Sequence, residues 1–455
     1  MSPHEKFNFP TAAELLDKIH ALNADIPFSE DLSPLWQPIE IAGHRIPNRL
    51  AIQPMEGSDG DEAGTPSELT FRRYRRFAEG GSGLIWFEAT AILPGARANP
   101  RQLFLSGGNL HEFERLVEAT KQAAREGMGA GHEVLCILQL THPGRYCRQD
   151  EYAQPVIAQH NAVLDPVQGL PPDSPLIGDH DLDRLQDQFV RAAELASAAG
   201  FDGVDIKACH GYLVSELLAA HTRSGKYGGP FENRARFLLE VVQRIRNRLP
   251  KLIVTSRISA YDGLPHPYGF GGDPAEPDAG GFEDARTLAE RFAGLGSPLL
   301  NVSIGNPHYQ AHISRPFDKP LAHEHRPDEH PLVGVARLLR ICGALQQAVP
   351  SLPMVSTGYS WLRQFFPYVG AAMVRDAKAA FVGIGRMAFA YPDCVSDLIR
   401  HGVLDPAKVC LACSSCTQIM RDGGRAGCVL RDQPIYAAEY QRGRREAHSK
   451  EEPSS

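Results

Sequence analysis

Residues 203–237 read GVDIKACHGYLVSELLAAHTRSGKYGGPFENRARF. The stretch starts as a short strand, Val204 to Ile206, and turns into a loop carrying Lys207, His210 and Tyr212. These three side chains can move protons or polarise a carbonyl. A glycine turn at Gly228-Gly229 follows, then an arginine-studded helix. Strand, reactive loop and helix in that order make an active-site βα unit of an α/β barrel, whose sites lie at the C-terminal ends of its strands.

Working outward, seven more short apolar runs share this setting: Leu50–Pro54, Leu84–Glu88, Val134–Leu140, Leu252–Arg257, Leu299–Ser303, Pro353–Ser356 and Ala380–Ile384. Amphipathic stretches lie between them. Leu182, Leu185, Phe189, Ala192 and Ala196 mark one helical face. Phe237, Val241, Val242, Ile245 and Leu249 mark another, and Val333, Leu338, Leu339 and Leu345 a third. Continuous apolar strands alternating with helices predict a parallel sheet covered by helices. Eight repeats predict closure into a (β/α)₈ TIM barrel, with an open doubly wound sheet as the competing arrangement.

The expected organisation is an N-terminal helical arm at 1–35, a barrel at 36–404, a cysteine-rich extension at 405–441 and a polar tail at 442–455. In the arm, Thr11 and Glu14 have capping-box spacing, and Leu15, Leu16, Ile19 and Leu22 share a face. Insertions at 143–180 and 261–281 follow the third and fifth strands, and 306–331 follows the sixth. Long loops at that end shape a pocket.

Composition limits the function. The formal charge of −7 argues against nucleic acid as a partner, because phosphate binding wants a positive field. No run of about 20 apolar residues suits a membrane span. The N-terminus lacks the basic and apolar regions of a secretory signal, which favours the cytoplasm. In that reducing compartment nine cysteines do not predict a disulfide framework. Four of them form Cys410-x₂-Cys413-x₂-Cys416-x₁₁-Cys428. Four such thiolates ligate a [4Fe–4S] cluster or a Zn²⁺ ion, and the spacing leaves both open.

The last two strands end in Ser356-Thr357-Gly358 and Gly383-Ile384-Gly385-Arg386. Glycine turns after strands seven and eight, with an arginine adjacent, are the usual barrel site for a phosphate.

HGYL followed by KYGGPFENRARF, the QLTHPGR run, the SRIS run at Arg257 and GIGR before Pro392-Asp393 occur in order along this pattern. Over about residues 36–400 the chain resembles the old yellow enzyme family of FMN-dependent oxidoreductases. The resemblance implies FMN across the top of the barrel. Gln139 would meet the flavin pyrimidine edge and Arg257 the N1 and C2 oxygen side. Gly358, Gly385 and Arg386 would hold the phosphate. Pro54, Met55 and Ala89 would line the dimethylbenzene or N5 side. The family's Asn or His before GYL maps to His210, and its proton-donating tyrosine to Tyr212. Lys207 takes a position where the family has His or Tyr, and is the main departure. His308, after the sixth strand, lies one residue off the register of a histidine in the dienoyl-CoA reductase branch.

Dienoyl-CoA reductases and trimethylamine dehydrogenases carry a [4Fe–4S] cluster at near-identical cysteine spacing, followed by flavin- and nucleotide-binding domains that this sequence lacks. The implied reaction is reduction of an activated C=C bond, in an α,β-unsaturated carbonyl or carboxylate. Electrons would come from NAD(P)H or a separate donor protein, with the cluster as relay. The alternatives are an amine or N-methyl dehydrogenase or demethylase, and an electron-transfer flavoprotein subunit. A homo-oligomer is compatible with the sequence, which identifies neither substrate nor direction of electron flow.

Overall fold

The computed structural model describes residues 3–149, 152–271, 282–322 and 324–451. The arm comes first. Helix α1 (Ala12–Ala21) is capped by Thr11, whose Oγ1 accepts from the Glu14 amide at 3.3 Å. Leu15 and Ile19 are its buried face. Phe7 anchors the arm, donating its amide to Asp318 at 3.1 Å and meeting Trp361 edge to face.

Eight parallel strands form the barrel. They are β1 (Leu50–Ile52), β2 (Leu84–Ala91), β3 (Leu135–Thr141), β4 (Gly203–Ile206), β5, β6 (Leu300–Ser303), β7 (Met354–Ser356) and β8 (Phe381–Ile384). Strand β5 is in two pieces, Ile253–Thr255 and Arg257–Ser259. The first piece pairs with β4 and the second with β6. Ser256 makes the break and donates its hydroxyl to the Ile206 carbonyl at 2.6 Å. A bridge from Ala208 to Ile258 then joins β4 to the second piece, and β8 pairs with β1. The ring closes, as the eightfold repeat predicts. Strand residues are buried throughout. That is the condition for continuous apolar strands rather than alternating ones.

The main helix after each strand is, in turn, α2 (Glu68–Glu79), α3 (Leu110–Met128), α4 (Asp179–Ala198), α5 (Phe231–Arg248), α6 (Phe282–Gly294), α7 (Pro331–Ala348), α8 (Phe366–Arg375) and α9 (Cys394–His401), with shorter helical turns in several of the loops. Helix α4 buries Leu182, Leu185, Phe189, Ala192 and Ala196, the face its period predicts. Helix α7 buries Leu338, Leu339 and Leu345, whereas Val333 is partly exposed in its first turn.

The insertion after β3 is tied down by Arg145. This buried guanidinium bonds Glu216 at 2.9 and 3.1 Å and Asp165 at 2.9 Å, joining the insertion to the chain just past Tyr212. Residues 272–281 of the second insertion lie outside the described residues. Past the barrel come α10 (Ser415–Arg421) and α11 (Gln433–Glu451). Residues 442–451 of the expected tail belong to α11, and 452–455 lie outside the described residues. No helix among the described residues is long and apolar enough to cross a membrane.

Candidate active site

At the C-terminal ends of β2 to β5 one carboxylate sets the geometry. Asp205 is fully buried. It accepts from Trp86 Nε1 at 2.7 Å, Gln139 Nε2 at 2.6 Å and the Arg257 amide at 2.6 Å. Burial pushes its carboxyl up to about 6 while these donors pull the other way. Gln139 spends its amide nitrogen on Asp205, leaving Oε1 without a partner among the described residues. Asp205 was readable only as an acid inside an apolar strand, and a sequence reading for reactive loop residues passes over it.

The reactive loop begins two residues later. His210 has φ +66°, unusual for a residue with a side chain. Its amide donates to Ser259 Oγ at 3.2 Å, and its Nε2 lies 3.2 Å from Ser303 Oγ. Arg257 Nη2 reaches the same Ser303 oxygen at 3.4 Å. The serine on β6 thus ties together the two groups that the sequence places on β4 and β5. Burial, then the charges of Arg257 and Lys207, hold the His210 imidazole well below its usual pKa, so it is neutral near pH 7.

Lys207 is 6% exposed. Its ammonium sits 3.6 Å from the Tyr212 ring centroid, a cation–π contact. It has no hydrogen bond or ion pair among the described residues. Burial lowers its pKa, and Cys209 and Glu56 oppose the shift. Tyr212 is buried, and burial raises its phenol pKa well above normal.

Two rings complete the wall. Tyr146, from the insertion after β3, stacks on His308 at 3.8 Å, and Tyr212 lies 5.7 Å from Tyr146 and 6.4 Å from His308. Asn306 fixes the pair, donating to the Tyr146 hydroxyl at 3.2 Å and accepting from the His308 amide at 2.9 Å. Burial, and then the charge of Arg421, keep His308 neutral. The fold brings His308 to the reactive loop, and Tyr146 joins it though it stands just past the QLTHPGR run. Glu56, after β1, also borders this group. It accepts from Asn99 at 2.9 Å, and burial raises its pKa while Lys207 lowers it.

The corner after β7 and β8 is rich in donors. Gly358 has φ +111° and starts a 3₁₀ turn, Tyr359–Phe365. A Cβ on Gly383 would lie 2.4 Å from the Ser356 carbonyl, so packing requires that glycine, whereas one on Gly385 would meet only the movable Met55 Sδ, at 2.9 Å. Arg386 donates through Nη2 to the Pro316 carbonyl at 2.8 Å, and its buried Nη1 has no partner. Arg315, which sequence reasoning missed, donates through Nη1 to Ser414 Oγ at 3.0 Å; its buried Nε and Nη2 make no hydrogen bond, and Nη2 lies 3.7 Å from Glu324 in an ion pair. Arg257 Nε is a further buried donor without a partner. Burial and the nearby Arg386 charge push Arg315 down to about 10. Two crowded guanidinium groups with unmet donors are what a phosphate would satisfy. Pro54 and Met55 are half-buried beside this corner, and Ala89 is buried with its carbonyl held by Gln102 at 3.0 Å.

Cys410, Cys413, Cys416 and Cys428 line one small cavity, together with Arg386, Phe389 and Ser414. The Ala412 amide donates to Cys410 Sγ at 3.3 Å and the Arg431 amide to Cys428 Sγ at 3.4 Å. Ala412 and Ser414 have positive φ, so the loop coils tightly between the first three thiols. Among the described residues no group of His, Cys, Asp or Glu side chains is gathered to hold a single metal ion. Arg386 borders both the phosphate corner and this cavity.

Residues 34–297 match the model of the NADH:flavin oxidoreductase / NADH oxidase family. A curated relative, an NADH:flavin oxidoreductase of Gibberella zeae, is 28% identical over 322 residues, covering 67% of this chain and 77% of its own length. The structure of a 2-naphthoyl-CoA reductase in complex with 2-naphthoyl-CoA superposes with a TM-score of 0.69 at 19% identity, over 90% of this chain and 58% of that one. Histamine dehydrogenase from Rhizobium sp. 4-9 superposes with a TM-score of 0.65 at 21% identity, over 88% and 52%. The chain thus spans somewhat over half the length of these two structures, whose likeness shows a shared fold.

Proposed function

The chain belongs to the NADH:flavin oxidoreductase / NADH oxidase family of FMN-dependent redox enzymes, and from that premise we propose that it reduces an activated C=C bond conjugated to a carbonyl or carboxylate. The observation that carries this reading is the convergence of His210 and Arg257 on Ser303, with Lys207 and Tyr212 adjoining.

FMN, when bound, supplies a hydride for the β-carbon of the double bond. Arg386 and Arg315 would hold its phosphate, Gln139 Oε1 its pyrimidine edge, and Arg257 the N1 side, where negative charge collects on reduction. Pro54, Met55 and Ala89 would line its other edge. His210, neutral and anchored by Ser303, donates a hydrogen bond to the substrate's carbonyl oxygen, and Lys207 adds positive charge there. Tyr212 delivers the proton to the α-carbon. The ammonium over its ring then stabilises the phenolate left behind. Tyr146 and His308 offer a flat wall to a conjugated substrate.

Four cysteines around one pocket support a bound metal group, and their spacing, shared with the cluster-bearing branches that the sequence resembles, favours [4Fe–4S] over zinc. Arg386 between the two sites supports electron relay from the cluster to the flavin, with NAD(P)H or a donor protein as the source. Oxidation of an amine fits less well, because an unpaired Lys207 ammonium repels a protonated amine.

The test is anaerobic. Reduced protein is mixed with 2-cyclohexenone or cinnamate, and oxidised protein with histamine or trimethylamine, while flavin absorbance and iron content are followed. Reoxidation by the alkenes supports the reading; bleaching by the amines instead would overturn it.

A further inference from the structure

The cysteine segment does more than gather thiols beside Arg386. Helix α10 ends at Arg421, whose Nη2 donates to the Pro307 carbonyl at 3.4 Å, one residue from His308. Other bonds fasten the segment around this point. The Ala426 amide donates to the Gly57 carbonyl at 2.6 Å, beside Glu56. Arg101 bonds the Gly423 carbonyl and, through Nε, the Ser58 carbonyl at 3.0 Å. The Ala322 amide donates to Gln418 Oε1 at 2.8 Å. The stretch from Gln418 to Ala426 therefore reaches from the loop after β6 to the loop after β1 at the rim of the barrel.

Arg421 is exposed. The Pro307 carbonyl is its one hydrogen-bond partner, and no ion pair closes on it among the described residues. Its charge is felt by Tyr146, Tyr212 and His308, the aromatic wall of the site. The site thus has at each end a cation with no ion pair among the described residues, Lys207 in the floor and Arg421 at the rim, and the charges of both lower the pKa of Glu56.

We propose that Arg421 is a specificity-determining residue, carried to the mouth by the cysteine segment, which selects substrates bearing a carboxylate at the end remote from the reacting bond. The inference rests on the reading above for where the reacting end lies, at His210 and Lys207. It makes the cysteine segment part of the substrate site as well as a metal-binding element.

The test is equilibrium binding to the flavin-loaded protein, read as a flavin difference spectrum. The probes are 4-hydroxybenzoate and 4-hydroxybenzamide, whose shared phenol suits the floor donors and whose para groups point outward. Wild type should bind the acid about three- to tenfold more tightly than the amide, the worth of one exposed ion pair to a charged group. Arg421→Ala should abolish that preference and leave amide affinity unchanged. Arg421→Lys should restore most of it. Because Arg421 is exposed, folding is not at stake in either variant. Equal affinity in wild type, or a preference that survives Arg421→Ala, overturns the proposal, as does absence of any response to both phenols. If the preference behaves as stated but no alkene reoxidises the flavin, the C=C reading falls and the role of Arg421 stands.

Discussion

The loop after β4 and the segment from Cys410 to Cys428 both gather reactive side chains at the C-terminal end of the barrel, but they are held in opposite ways. The loop is fixed from within. Its strand carries Asp205, which takes three buried donors, and its histidine is pinned by serines on β5 and β6. The cysteine segment is fixed from outside, by main-chain bonds to the loops after β1 and β6 and by Asp432, which pairs with the half-exposed Arg72 and Arg76 on α2. Its four thiols line the cavity between. Groups preorganised by the fold suit transition-state chemistry, which needs fixed donors. Thiols on a short coiled loop suit a ligand that itself completes the packing.

This contrast can be broken at several points. The largest effect is expected from Cys413→Ser, which should remove the iron signal altogether while flavin stays bound. Metal analysis and the visible spectrum decide it, and stoichiometric zinc in the wild type would overturn the cluster. Next comes Tyr212→Phe, which should slow reoxidation by an enone by about 100-fold or more, the usual worth of a positioned proton donor. Flavin reduction should be unchanged, so stopped-flow traces of the two half-reactions separate them; equal slowing of both would remove Tyr212 from its role.

Arg386→Ala should weaken FMN retention by about tenfold to a hundredfold, the cost of one or two charge-assisted hydrogen bonds. Ultrafiltration followed by flavin fluorescence measures it. Because Arg386 also borders the cysteine cavity, iron content in the same variant sharpens the comparison. Iron that falls with the flavin would show that the two regions are one site. The smallest effect is Asp432→Ala, which removes two partly exposed ion pairs worth about 1 kcal/mol together. Hydrogen exchange should quicken over 410–428 and stay unchanged in the barrel strands.

The fold was legible because each strand is short, apolar on both faces and set between amphipathic helices. That pattern survives in one dimension for eight repeats. The rim positions of Gln139, Arg257 and Arg386 were legible for a related reason: a barrel places the residue ending each strand at one rim. What was not legible depends on long-range approach. Asp205 was read as part of a strand, although it orients Gln139 and the Arg257 backbone. Tyr146 and His308 stand 162 positions apart in the sequence and stack at 3.8 Å. Arg315 lies in a stretch with no motif and Arg421 in the spacer between Cys416 and Cys428, and the structure brings each to a different edge of the same rim. Val333 shows a smaller limit, since a helix's first turn departs from the face its period predicts.

The sequence by itself determined an eight-stranded α/β barrel, a reactive Lys-His-Tyr loop after its fourth strand and a four-cysteine segment, because strand period, loop residues and cysteine spacing are all local. Only the tertiary structure decided that Ser303 joins His210 to Arg257, that Lys207 faces the Tyr212 ring with no ion pair among the described residues, and that the cysteine segment brings Arg421 to the loop carrying His308. Those facts rest on bonds and charges between residues far apart in the chain, and no local pattern encodes such distances.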